Sequence, residues 1–172
     1  MLFRSRVPAQ VLTVLDEAYF EYIDEPDYPD GIEEHVKAGR DVLVLRTFSK
    51  IYGLAGLRVG YGVGPKEVVD SIKKVRNAFD VTQAAQDAAA ASLAGAKELG
   101  RRRAFNAESR AHLVELCAGL DLTLAPRPVA NFVYAEVGED ARPVFDALLR
   151  EGVIVVLFPD GGDRYLSTAL WR

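Results

Sequence analysis

The sequence predicts an α/β fold, a partial parallel sheet followed by a smaller α+β layer. Three observations lead there. Val11 to Asp16 (VLTVLD) and Asp41 to Arg46 (containing VLVL) are short apolar runs, the pattern of strands buried on both faces of a parallel sheet. A helical segment, Ile32 to Ala38, separates them, giving the strand–helix–strand order that parallel pairing requires. Near the other end, Asn131 to Val137 alternates Phe132 and Tyr134 with Val133 and Ala135, as a strand with one wet face does.

The elements follow in order. After the first strand, Glu17 to Gly31 is rich in Asp, Glu, Pro and Tyr and reads as a long surface loop. Gly39 stops the short helix. Thr47 to Gly64 contains Gly53, Gly56, Gly60, Gly62 and Gly64, so it reads as loop plus a third strand, Arg58 to Val63. Pro65 opens a helix to Val75, since proline suits the first helical turn. Thr82 to Ala96 is alanine-rich and helical. Lys97 to Leu116 is a long amphipathic helix with Phe105, Leu113 and Leu116 on its apolar side. Leu122 to Leu124 is a short strand, Pro143 to Glu151 a helix stopped by Gly152, and Val153 to Leu157 a last strand.

Composition excludes several classes. The chain has 172 residues, 49% hydrophobic and 27% charged, which fits a globular protein and not a disordered tail, a collagen or a coiled coil. The 21 Lys and Arg against 25 Asp and Glu give −4, so nucleic acid is not the expected partner. The single cysteine, Cys117, allows no internal disulfide and reads as a small apolar core residue in a reducing compartment. No apolar run reaches the roughly 18 residues of a membrane span. MLFRSRVPAQ lacks the apolar centre of a signal peptide, so a cytoplasmic location is expected. Met1 to Ser5 reads as a junction on a truncated reading frame.

The chemistry lies in two segments. In Arg46 to Gly60 (RTFSKIYGLAGLRVG), Thr47, Ser49 and Lys50 follow a buried strand and Arg58 lies eight residues beyond Lys50. Ligands of open α/β sheets bind at the C-terminal ends of the strands. Two hydroxyls, an ammonium and a guanidinium there suit a phosphate. The second segment, Asp16-Glu17-Ala18-Tyr19, ends the neighbouring strand. A carboxylate, a phenol, a lysine and a phosphate clamp together suit pyridoxal 5'-phosphate, which needs an amine for its aldehyde and an acid beside its ring nitrogen.

VLDEAYFEY and LRTFSKIYGLAGLRVGYG resemble the fold-type I pyridoxal-phosphate aminotransferases, and among them the histidinol-phosphate aminotransferases, from about Val11 to Phe158. The resemblance implies a partial large, cofactor-binding domain at 1–96, then a linker helix and small α+β C-terminal domain at 97–172. It implies that Lys50 is the catalytic lysine that holds the cofactor, that Asp16 meets the ring nitrogen and that Tyr19 contacts the phenolate oxygen. Ser49 and Arg58 would bind the cofactor phosphate with Thr47 near it, and Asn131, in ANFVY, would lie close to the substrate. The implied reaction moves an amino group from histidinol phosphate to 2-oxoglutarate in histidine biosynthesis, with a small-molecule amino donor, a 2-oxo acid acceptor and a homodimer. A decarboxylase of a phosphorylated amino acid, or a non-catalytic remnant or dimerisation module, are the alternatives.

Members of that family are longer. Their cofactor phosphate loop, the aromatic ring stacked on the cofactor and an asparagine near the phenolate have no counterpart before Asp16. A family arginine and proline are replaced by Val156 and Leu157, and Ser167 stands where the family has its carboxylate-gripping arginine, with Arg164 and Arg172 as possible substitutes. The expectation is therefore a fragment that binds the cofactor weakly and does not turn over alone. Outside the site, His35 and His112 read as surface residues with no metal-ligand spacing, and Arg101 to Arg103, beside Glu98 and Glu108, as a solvated helix face. The glycines of Gly60-Tyr61-Gly62-Val63-Gly64 lack the spacing of a dinucleotide loop.

Overall fold

The computed structural model describes residues 7–150 except 9, 121, 138 and 139; the side chains of 148 and 149 are also left undescribed. The Met1 to Ser5 junction, the last strand at 153–157 and residues 156, 157, 164, 167 and 172 lie outside the described residues.

Three strands form the main sheet in the order β1-β2-β3, with β1 at Thr13–Asp16, β2 at Val42–Thr47 and β3 at Gly60–Val63. β1 and β2 are parallel, with Thr13 opposite Val42 and Asp16 opposite Leu45. β3 runs antiparallel to β2, so the sheet is mixed. The connection between β2 and β3 holds only a 3-10 turn, Ala55–Leu57, and no α-helix of the kind that usually carries a parallel crossover.

β2 is the buried centre: Val42, Leu43 and Val44 are all inside. β1 departs from the expected two-sided burial. Val14 is 52% exposed and only Thr13 is buried, because β1 has a strand neighbour on one side among the described residues.

The stretch after β1 is less of a surface loop than expected. A short 3-10 turn, Phe20–Tyr22, buries Glu21 and Tyr22. Glu17 holds the far end of the stretch: its Oε1 accepts the Gly31 N–H at 2.9 Å and its Oε2 accepts Arg46 Nη2 at 2.8 Å. Gly31 has to be glycine for this approach, since a Cβ there would lie 2.5 Å from Glu17 Oε1. Asp30 adds a second acceptor for Arg46, and the guanidinium stacks 3.7 Å above the Phe20 ring. Burial opposes the charge on Arg46, but the Glu17 hydrogen bond and the Asp30 and Glu17 charges outweigh it and raise its pKa.

Ile32–Val36 forms a single wide helical turn. His35 corrects the surface expectation: it is only 1% exposed, and its Nδ1 pairs with Arg40 Nη1 at 2.8 Å. α1 (Lys66–Val75) and α2 (Gln83–Leu93) follow, α2 capped by the Thr82 hydroxyl, which accepts the Ala85 N–H. Ala85 and Ala89, one turn apart, pack on Phe48 and Val59 with Tyr52, Leu54 and Val81 around them.

α3 (Ala96–Gly119) is longer than predicted, and Phe105, Leu113 and Leu116 are exposed, with Phe105 at 67%. The apolar side expected of this helix is therefore uncovered among the described residues. Cys117 is only half-buried. β4 (Thr123–Leu124) and β5 (Ala135–Glu136) form a two-stranded antiparallel pair, much shorter than the strand expected over 131–137. α4 (Arg142–Arg150) is the last described element.

Candidate functional site

The parallel pairing of β1 and β2 brings their C-terminal ends to one edge of the sheet, and the pairing continues past the strands where Glu17 N–H donates to the Leu45 carbonyl at 2.9 Å. Asp16 ends β1 at this edge, exposed, with Oδ1 accepting the Ala18 N–H. Tyr19 stands three residues on, half-buried.

Lys50 is positioned by its neighbours. Phe48 and Ile51, on either side of it, are 5% and 3% exposed, so the loop is nailed into the core at two points while Lys50 itself stays half-exposed. The Gly53 N–H donates to the Lys50 carbonyl at 2.9 Å, closing a tight turn, and Leu54 N–H returns to the Phe48 carbonyl. Ser49 N–H is held by Thr47 Oγ1 at 3.0 Å. The Lys50 ammonium then lies 4.9 Å from the centre of the Tyr19 ring, a cation–π distance. Lys50, Tyr19 and the end of β1 thus share one sheet edge.

Arg58 sits in the same loop, in left-handed backbone at φ 53°, before β3. Its guanidinium is exposed and donates to the Ala55 carbonyl at 2.7 Å, so it faces its own loop. Asn131 is exposed and, with Ile51, Tyr22, Arg102 and Asn106, lines an open cleft of about 400 Å³. The next residue, Phe132, meets the Tyr19 ring edge-on at 5.4 Å. The cleft and the Lys50 turn therefore adjoin.

Several residues here were missed by sequence reasoning. Arg102 and Arg103 are half-buried and donate to the carbonyls of Ile51 (2.9 Å) and Glu21 (2.8 Å); only Arg101 keeps to the solvated face expected of all three. Glu98 accepts from both Arg101 and Arg102, and these bonds hold its pKa at about 2. Glu21 is a buried carboxyl whose Oε2 has no hydrogen-bond partner, and burial pushes its pKa up. The four-residue spacing of Arg102, Asn106 and Arg110 is the signal that would have marked a polar row on α3. Among the described residues no group of His, Cys, Asp and Glu could hold a metal ion, and no helix is long and apolar enough to cross a membrane.

The donor set at this edge, an amine, a carboxylate, a phenol, two hydroxyls and a guanidinium, suits a phosphorylated aromatic aldehyde. The chain belongs to the aminotransferase class I and II family, whose pattern matches residues 5–159. It is 46% identical over 154 residues to the histidinol-phosphate aminotransferase of Moorella thermoacetica, covering 89% of this chain and 39% of that protein. It is 40% identical over 178 residues to the aromatic amino acid aminotransferase of Thermobifida fusca, covering 97% of this chain and 49% of that one. The crystal structure of the Sinorhizobium meliloti histidinol-phosphate aminotransferase in complex with pyridoxal-5'-phosphate superposes with a TM-score of 0.79 at 34% identity, over 89% of this chain and 42% of the other. The chain thus spans less than half the length of each of these relatives.

Proposed function

We propose that this sheet edge is the cofactor side of a pyridoxal 5'-phosphate-dependent aminotransferase site, and that the whole protein moves the amino group of histidinol phosphate to 2-oxoglutarate in the cytoplasm, as a homodimer. The observation that supports it is the Lys50 ammonium 4.9 Å from the Tyr19 ring, at the edge where Asp16 ends the adjacent parallel strand. The family membership and the relatives' names support the reaction class.

In this reading Lys50 is the covalent attachment point, and its amine, once released, moves a proton at the amino-bearing carbon of the substrate as base and then acid. Asp16 meets the ring nitrogen and keeps it protonated. Tyr19 donates to the ring oxygen. Ser49 and Arg58, with Thr47 beside them, hold the phosphate, Arg58 exchanging its bond to the Ala55 carbonyl for the anion. When bound, the cofactor supplies an electron-withdrawing ring that stabilises negative charge at that carbon. Asn131, across the cleft from Ile51, lies on the substrate side. The domain division at 96/97 belongs to the same reading. The Thermobifida fusca relative, which matches 97% of the chain, favours one second reading, an aromatic amino acid as donor.

The test is covalent trapping. The 172-residue chain is mixed with pyridoxal phosphate, reduced with borohydride and digested for mass spectrometry. Adduct concentrated at Lys50, and absent there in Lys50→Arg, is expected. Adduct spread evenly over the surface lysines rejects the site. Weak binding and no turnover are expected of these 172 residues alone; in the whole protein, histidinol phosphate and an aromatic amino acid compared as donors separate the two substrates.

A further inference from the structure

We propose that Arg102 is a positioning residue for Lys50, and that the face of α3 bearing Arg102, Arg103, Asn106 and Arg110 holds the three loops of the site in register. This rests on the reading of Lys50 as the cofactor-bearing lysine.

α3 has no buried residue: Phe105, Leu113 and Leu116 are exposed and Leu99 and Val114 only half-buried, so apolar packing does little to seat it. Polar side chains meet backbone carbonyls instead. Arg102 Nη1 donates to the Ile51 carbonyl at 2.9 Å, immediately after Lys50. Arg103 Nε donates to the Glu21 carbonyl at 2.8 Å, two residues after Tyr19. Asn106 Nδ2 donates to the Ala130 carbonyl at 3.3 Å and Arg110 Nη1 to the Val129 carbonyl at 2.9 Å, just before Asn131. Arg102, Asn106 and Arg110 recur every four residues and form one row on the helix. One rigid rod thus touches the lysine loop, the tyrosine loop and the asparagine loop, far apart in the sequence.

Arg102 has the most direct lever. Its bond fixes the Ile51–Tyr52 peptide, the second link of the turn that Gly53 N–H closes on the Lys50 carbonyl. The turn is built around it: Gly53 has φ +73°, and a Cβ there would lie 3.2 Å from Arg102 Nη1. Glu98 holds the guanidinium from the other side through Nε at 2.8 Å, so Arg102 is braced and not merely tethered. A hydrogen bond from a charged donor is about twice as strong as a neutral one, which suits a group that must restrain a loop. Without it, the turn keeps its internal bond but loses its anchor to α3, and the Lys50 ammonium loses its fixed place over Tyr19.

The test uses the full 172-residue chain without cofactor, by amide hydrogen exchange. In Arg102→Met the Gly53 and Leu54 amides should exchange about tenfold faster, while those of Val42 to Val44 keep their rate. Arg102→Lys, which keeps a charged donor for the Ile51 carbonyl, should recover part of the protection. Glu98→Ala, an exposed change that removes the brace together with the exposed Arg101 pair, should accelerate the same two amides by a smaller factor. Unchanged exchange in Arg102→Met, or equal acceleration throughout β2, overturns the proposal. If Arg102→Met does not fold, Glu98→Ala decides: acceleration confined to Gly53 and Leu54 supports it and no acceleration overturns it. Borohydride trapping then separates this from the cofactor reading. If wild type forms no adduct at Lys50 while the exchange pattern is as expected, the cofactor assignment falls and the restraint stands. If wild type labels Lys50 and Arg102→Met labels it with undiminished selectivity over other lysines, the positioning role falls.

Discussion

The segment from β1 through α2 and the segment from α3 onward are held by different forces. The first contains all the buried side chains of the described residues except Ala130, and its loops are fastened by packed side chains on both sides of the functional positions. The second is a 24-residue helix with no buried residue, a pair of two-residue strands and a short helix. It meets the first through the guanidinium groups of Arg102 and Arg103 on backbone carbonyls and through Phe132 against the Tyr19 ring. The proposed site thus sits where burial fixes the chain, while α3 reaches it through polar contacts and adds no buried side chain to the core. Substitutions should therefore be costly in the first segment and cheap in the second.

The largest effect is expected at Arg46. Arg46→Met strands Glu17 and Asp30 beside a buried strand, and breaking such a cluster costs about 3–5 kcal/mol, read from the urea midpoint. Next comes Gly31→Ala, whose new Cβ collides with Glu17 Oε1 and meets Leu15 and Val44 at 3.0 Å; about 1–3 kcal/mol should be lost in the same assay.

Glu21 gives a prediction with the opposite sign. Burial raises its pKa, so the folded chain binds that proton more tightly than the unfolded chain. Its contribution to stability is full in acid and is lost as pH rises through the raised value. Glu21→Gln should therefore stabilise the protein near pH 7 by about 1 kcal/mol, and the gain should fade as pH falls toward about 4, in thermal melts across that range.

The smallest effect is expected in α3. Phe105→Ser should change the unfolding free energy, read from the urea midpoint, by less than about 0.5 kcal/mol because the ring is exposed. A loss there matching that at Gly31 would erase the contrast between the segments.

Legibility in the sequence follows the same division. The VLVL run of β2 announced itself because a strand covered on both faces leaves nothing but apolar residues. β1 has the same kind of sequence, yet an edge strand and a central strand differ only in their neighbours, which composition does not record. The gathering of Asp16, Tyr19 and Lys50 at one edge was readable because parallel strands end together. The contacts of Arg102 and Arg103 with the loops were not, since those partners are carbonyls that every residue possesses and Glu98, the acid paired with Arg102, reads as part of a solvated helix face. His35, in a turn with two glutamates, looked solvated; only tertiary closure buries it. The third strand was foreseen, but not its antiparallel direction.

Arg58 occupies left-handed backbone that glycine tolerates freely and an arginine enters at a cost of order 1 kcal/mol. A glycine there would relax the loop and remove the guanidinium in one step. With Arg58 on the cofactor phosphate, as proposed above, the position would set heat resistance against anion capture: a screen for melting temperature alone would drive it toward glycine, and a screen for phosphate affinity would bring the arginine back.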